Sequence, residues 1–249
     1  LPTGEGIFVR GRAPSMSLGK AGAILKKRFR LTVALLRAVH FPAMPSVDDY
    51  PPMLLDERPI DFDEPGWLYE IKFDGYRLAA EFDGTVKLRT RNGSDATRWF
   101  PEIVSSLKQV KGGQCIVDGE VCVLDELGRS NFDKLHDRAR RRRWYEGASP
   151  VVYCVFDLLV SRGVDITQQP LIQRKSALSK LFKPSRPGIL VVRHFEDQPL
   201  RIFDEAVIPL ELEGLVAKRA ASVYQPGVRS MDWVKVTRKG AIPSKRFKR

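Results

Sequence analysis

A chain of 249 residues can bury one large or two small cores, and its formal charge of +12 favours a polyanionic partner such as nucleic acid or an acidic membrane surface. Three cysteines, Cys115, Cys122 and Cys154, fall inside apolar runs without Cys-x-x-Cys spacing, which reads as core thiols in a reducing compartment and excludes a disulfide scaffold. His40, His136 and His194 are scattered away from those cysteines and give no zinc set, and no apolar run approaches the roughly 18 residues of a membrane-spanning helix.

From Gly6 to Val47 there is no acidic residue, while Arg10, Arg12, Lys20, Lys26, Lys27, Arg28, Arg30 and Arg37 accumulate. Residues 1–47 therefore read as a poorly ordered basic extension with a helix over Ala21 to Val39. Three origins fit it: a nucleic-acid-binding arm, an organellar transit peptide, or upstream sequence ahead of a misplaced start, towards which the initial Leu1 leans. The composition shifts at Pro42 and Pro45, and a globular part is expected over 48–237, with 238–249 as a short basic tail.

Within the globular part, Tyr69 and Ile71 alternate with Leu68 and Glu70 as in a strand, and Asp74-Gly75 turns the chain, leaving Lys72 at the strand-to-turn junction. Leu78 to Phe82 and Thr85 to Thr90 flank Asp83-Gly84 as a hairpin. Pro101 opens a helix with Ile103, Val104, Leu107 and Val110 on one face. Cys115 to Leu124 reads as a strand carrying Glu120, and Val151 to Leu159 as a buried strand ending in a polar group, Asp157. Pro170 begins a helix to Phe182 with Leu171, Leu178 and Leu181 inward, and Ile189 to Val192 is another strand. Arg138 to Arg143 is a basic block, equally readable as a solvated loop or a phosphate contact. The class is α+β, with charged groups at strand ends: Lys72, Glu120, Asp157, Glu213, Lys218 and Lys235.

Lys-Phe-Asp-Gly alone is more often a surface lysine beside a hairpin, so the information lies in the order of the set. Taken in that order, Lys72-Phe-Asp-Gly, Arg77, Arg91-Asn-Gly, Asp-Gly-Glu120, Val-Phe156-Asp, Glu213-Gly-Leu-Val-Ala-Lys218 and Trp-Val-Lys235 resemble the adenylation domain of ATP-dependent DNA ligases, above all the ligase portion of bacterial end-joining ligases. The resemblance spans roughly Tyr50 to Lys235 and implies a DNA ligase-type nucleotidyltransferase fold of antiparallel sheets flanked by helices.

It also implies roles. Lys72 is the nucleophile that takes AMP from ATP. Glu70 sits where adenine is read, and Ile71 joins it in the nucleotide-binding set. Arg77 contacts ribose and phosphate, Phe156 stacks on adenine, and Lys218 and Lys235 hold phosphates. Glu120 contacts the ribose and, with Glu213, offers hard oxygens to Mg2+ or Mn2+. Arg91 holds the phosphate at a nick. Nearby lysines are expected to favour the unprotonated amine of Lys72.

The substrate so implied is nicked double-stranded DNA, in repair or recombination, in a cytoplasmic, nucleoid-associated bacterial setting with no membrane partner. Two other readings stay open, a degenerate domain that binds nucleic acid without sealing and an RNA-end ligase. Two departures stand out. Lys235-Val236-Thr237 replaces the Lys-x-Lys of the family, with Lys239 better placed than Arg238 by strand parity, and the tail leaves no room for the OB-fold that closes over the nucleotide. An OB-fold or end-joining partner acting in trans is the expected remedy.

Overall fold

A computed structural model describes residues 44–241, so residues 1–43 of the basic extension, with its expected helix, and most of the tail lie outside the described residues, while Val47 already begins a 3-10 turn capped by Ser46. In chain order the strands are β1 (Leu54–Asp56), β2 (Trp67–Lys72), β3 (Tyr76–Asp83), β4 (Thr85–Thr90), β5 (Cys115–Cys122), β6 (Val152–Ser161), β7 (Val164–Asp165), β8 (Ile189–Val191), β9 (Gly214–Arg219) and β10 (Arg229–Thr237). Between them lie helices α1 (Pro101–Lys108), α2 (Phe132–Arg140), α3 (Leu171–Leu181) and the short α4 (Pro199–Ile202). One sheet runs β1-β10-β9-β2; the other runs β4-β3-β5-β6-β7 with β8 on β6. Pairing is antiparallel except β1 with β10 and β6 with β8, two parallel contacts that the expected antiparallel sheets did not include.

Local chemistry explains several boundaries. Asp83-Gly84 makes the β3–β4 turn, with Gly84 at φ +70°. Pro101 opens α1, whose missing N–H would have had no helical partner there. The Asn131 side chain accepts from the Lys134 N–H at 3.0 Å and caps α2.

One apolar cluster (Leu78, Phe82, Phe100, Leu107, Leu135, Leu178) fills the helical side of the second sheet. A second (Leu68, Ala79, Ile116, Phe156, Leu159, Trp233) contains residues from both sheets and forms the inner core. A third, small cluster (Trp67, Tyr69, Ala217, Val234) covers the other face of the first sheet. Truncating a fully buried aromatic such as Phe82 costs about 3–5 kcal/mol.

The strand expected around Tyr69 is present as β2, and it is covered on both faces. Trp67, Leu68, Tyr69 and Glu70 are all buried, because the second cluster takes Leu68 and the third takes Trp67 and Tyr69. The alternation in β2 therefore separates two packed faces, not core from solvent. Asp157 is displaced from expectation. It sits inside β6, fully buried, since Arg174 on α3 supplies its counter-charge. Glu213 precedes β9, and Lys235 lies within β10 rather than at its end.

Candidate active site

Strands β2 and β9 pair Lys72 with Gly214, Glu70 with Val216 and Leu68 with Lys218, so Glu70, Lys72 and Lys218 share one face of the first sheet. Strand β10 adds Trp233 opposite Lys218 and Lys235 opposite Val216 on that face. Glycines let the backbones close in around these charges. A Cβ at Gly75 would lie 2.2 Å from the Val121 carbonyl and 2.8 Å from Cys122 Sγ, so the turn after Lys72 can rest on β5 only as glycine. A Cβ at Gly214 would meet the Val236 carbonyl at 2.1 Å, which explains why glycine follows Glu213.

At the mouth of this arrangement Lys72 Nζ donates to Glu213 Oε2 at 2.6 Å. Lys218 bonds to Glu70 at 2.7 Å and Lys235 to Glu57 at 2.9 Å. Glu120 on β5 stands opposite Arg77 on β3. Burial pushes its carboxyl up to about 7, against the opposing pull of Arg77 and Lys72. Asp118 holds Arg77 bidentately, at 2.6 Å from Nε and 2.7 Å from Nη2, and also accepts from the Tyr224 hydroxyl at 2.6 Å. Burial would lower the guanidinium of Arg77, but the paired Asp118 carries it well above its usual range.

Deeper in the cleft, the Phe156 ring is 8% exposed, with the Arg77 guanidinium 4.5 Å and Lys218 Nζ 4.2 Å from its centroid. Trp233 lies edge-on to Phe156 and its centroid is 4.1 Å from Lys218 Nζ. Burial brings the Lys218 ammonium down to about 8, with Glu70 pulling the other way. Burial would raise the Glu70 carboxyl, yet Lys175 at 2.6 Å and Lys218 at 2.7 Å hold it below the usual carboxylate range.

The structure thus gathers Glu70, Lys72, Arg77, Glu120, Phe156, Glu213 and Lys218 around one cleft between the sheets. Ile71 is half-buried in β2, in register with Leu215. Arg91 lies on an exposed turn, its backbone N–H bonded to the Arg77 carbonyl at 3.0 Å. Arg238 bends back to the carbonyls of Leu212 at 3.1 Å and Glu211 at 3.5 Å, bracing the segment that carries Glu213.

Sequence reading missed Lys175, whose ammonium also reaches the carbonyls of Val192 at 3.1 Å and Phe156 at 3.4 Å. It also missed Asp118, Tyr224 and Trp233. A signal for Lys175 existed. Leu171, Arg174, Lys175 and Leu178 occupy the i, i+3, i+4, i+7 face of α3, and a cation on an inward face implies a buried acid opposite it.

No group of three or more acidic, histidine or cysteine side chains suited to a metal gathers among the described residues. Among the described residues, Glu70 has both oxygens on lysines and Asp118 is held by Arg77, which leaves Glu120 and Glu213 as carboxylates that could face a metal. That set fits a magnesium ion held chiefly by water and substrate phosphates rather than by a protein cage.

Comparison with known proteins identifies the family and the fold. The sequence matches the family model described as ATP dependent DNA ligase domain over residues 55–237. It is 34% identical over 186 residues to the SPbeta prophage-derived DNA ligase-like protein LigB of Bacillus subtilis, covering 74% of this chain and 66% of that protein. It is 34% identical over 171 residues to the multifunctional non-homologous end joining protein LigD of Pseudomonas aeruginosa, covering 68% of this chain and 20% of the relative. Among solved structures, the ligase domain of M. tuberculosis LigD superposes with a TM-score of 0.65 at 29% identity, over 78% of this chain and 61% of that one. The chain spans less than two thirds of the length of these relatives.

Proposed function

Because the chain belongs to the family of ATP-dependent DNA ligase domains, we propose that it forms a covalent lysyl-AMP and passes the AMP to the 5′-phosphate of a DNA nick. The observation that carries this reading is the Lys72–Glu213 pair at 2.6 Å, at the end of β2 and beside Glu120 and Arg77. The amine of Lys72 bonds to the α-phosphorus of ATP as the bond to pyrophosphate breaks, and Glu213 is placed to take the ammonium proton. Magnesium, held by Glu120 and Glu213 when bound, supplies neutralisation of phosphate charge. Arg77 and Lys218 place fixed positive charge along the cleft, where it opposes the charge spread over the transferring phosphoryl group.

Both oxygens of Glu70 are taken by lysines, so the base is assigned to the main chain of β2. The Tyr69 N–H and carbonyl pair with Phe195, and those of Ile71 point to the same edge two residues on, where they can meet the edge of adenine. Stacking of adenine on Phe156 requires one of its two cations to move aside. Lys235 is assigned to the phosphates of ATP and Arg91 to the phosphate at the nick.

The setting is cytoplasmic, at chromosomal DNA. An end-joining partner protein is supported by the match to a relative named as a multifunctional non-homologous end joining protein.

The test is incubation with α-labelled ATP and magnesium or manganese, a denaturing gel, and a chase with nicked duplex. Expected are a protein band absent from Lys72→Ala and label that moves to the DNA on the chase. Label retained by Lys72→Ala, or no label in the wild type with either metal, overturns the assignment.

A further inference from the structure

The charged surface beyond the C-terminal end of α2 is not used by the nucleotide cleft. Arg140, Arg141, Arg142, Arg143 and Trp144 are all exposed there, Trp144 at 57%, with no acid between Arg138 and Tyr145. This is a built loop rather than a solvated run of charge. Arg138, fully buried, holds the Glu102 carboxylate at 3.0 and 3.1 Å and donates to the Arg143 carbonyl at 2.7 Å, tying the loop back on itself and onto the start of α1. The backbone of Arg142 is left-handed, at φ +53°, a conformation non-glycine residues keep only when their surroundings impose it. The Arg141 guanidinium lies 3.9 Å from the Tyr145 centroid and that of Arg142 lies 5.5 Å from that of Trp99. Both guanidiniums thus lie over aromatic rings while the arginines remain exposed, which suits phosphate.

The loop is also near the reacting lysine. The Asp74 N–H donates to Ser130 Oγ at 3.1 Å, and the Tyr76 hydroxyl bonds His136 Nδ1 at 2.8 Å, so the start of α2 rests against the turn that follows Lys72. A helix of nine residues rises about 13 Å, so the basic loop lies within a few nucleotides of that turn.

We propose that the Arg140–Tyr145 loop binds an unpaired nucleic-acid strand, with its phosphates on Arg141, Arg142 and Arg143 and a base stacked on Trp144. This deepens the nucleic-acid half of the function above. Fixed cations alone would serve any polyanion. The exposed indole among them selects a strand whose bases are free to stack, since a paired base offers no open face.

The experiment is anisotropy titration of the full chain with a fluorescein-labelled single strand and with a duplex of equal length, across a salt series. The variants are Trp144→Ala and the triple Arg141→Ala, Arg142→Ala, Arg143→Ala, with circular dichroism melts as fold controls. Trp144→Ala is expected to weaken the single strand at least about fivefold and the duplex less than about twofold. The triple variant is expected to weaken the single strand more than about tenfold and to flatten its log–log salt slope by about two.

Cross-linking of a 5-iodouracil strand to wild-type protein, mapped by mass spectrometry, supplies a readout that needs no variant, with adducts expected at Trp144 or Tyr145. Adducts confined to residues 1–43 or 242–249, unchanged affinities, or equal losses for single strand and duplex would overturn the proposal. Failure of the ATP-labelling test would overturn the ligase reading and leave this result standing.

Discussion

On the floor of the cleft, Asp157 and Arg174 are both fully buried and joined by bonds of 2.9 and 2.8 Å, while Glu70 is closed in by two buried lysines. At the mouth, Lys72 and Glu213 keep 17% and 14% of their side-chain surface in solvent and share a single bond. The floor charges have given up water and depend on one another, so removing one strands its partner. The mouth charges still see water, so a substrate phosphate or a metal can replace either partner at modest cost. The difference separates residues that shape the cleft from residues free to act in it.

The sharpest way to break this division is Lys72→Ala. It is expected to abolish covalent labelling by ATP while changing unfolding free energy by less than about 1 kcal/mol, as urea melts would show. Arg174→Ala should do the reverse. It leaves Asp157 buried and unpaired, at a cost of about 3–5 kcal/mol in the same melts. A loss under 1 kcal/mol would place Asp157 in contact with water and remove the contrast.

Phe156→Ala bridges the two regions. The near-complete burial of the ring predicts about 3 kcal/mol of destabilisation as well as weaker ATP binding, so a pure affinity loss with no change in melting would show that its packing contributes little.

Glu120→Gln sharpens the comparison through pH. With its folded pKa near 7 and a free value of 4.5, the native state binds the extra proton between those values. Stability from this group is therefore full below about pH 4.5 and is lost as pH rises through 7. The glutamine variant is expected to flatten that decline, on the order of 1–3 kcal/mol across the window, in melts taken from pH 4.5 to 8. Lys218 has the opposite sign. Its folded value near 8 against a free value of 10.5 makes its stability contribution full above pH 10.5 and lost as pH falls through 8. The smallest effect belongs to Lys235→Ala, whose partner Glu57 is 73% exposed; less than about 1 kcal/mol is expected in urea melts.

Much of the cleft was legible in sequence because its mouth is made of short local motifs in a fixed order. Lys72 with Gly75, Glu120 after Gly119, and Glu213 with Gly214 each pair a charge with the glycine that lets a neighbouring strand approach it. The Asp83-Gly84 hairpin was legible for a similarly local reason. The floor was not, because its partners are remote in sequence. Glu70 meets Lys175 across 105 residues, and Asp118 meets Tyr224 across 106. Asp157 read as a strand end because a charge inside an apolar run suggests an edge. Only Arg174, brought in by α3, makes an interior position tolerable. The alternation in β2 marked a strand but not its two-sided burial, since alternation cannot distinguish solvent from a second apolar layer.

The most direct test of the central claim, that Lys72 and not one of the floor lysines is the nucleophile, is peptide mapping of the AMP adduct by mass spectrometry after reaction with ATP and magnesium. The expected result is a single adduct on Lys72, with Lys175 and Lys218 unmodified. An adduct on Lys218, whose ammonium burial brings down to about 8, would contradict the division between floor and mouth and move the chemistry to the base of the cleft.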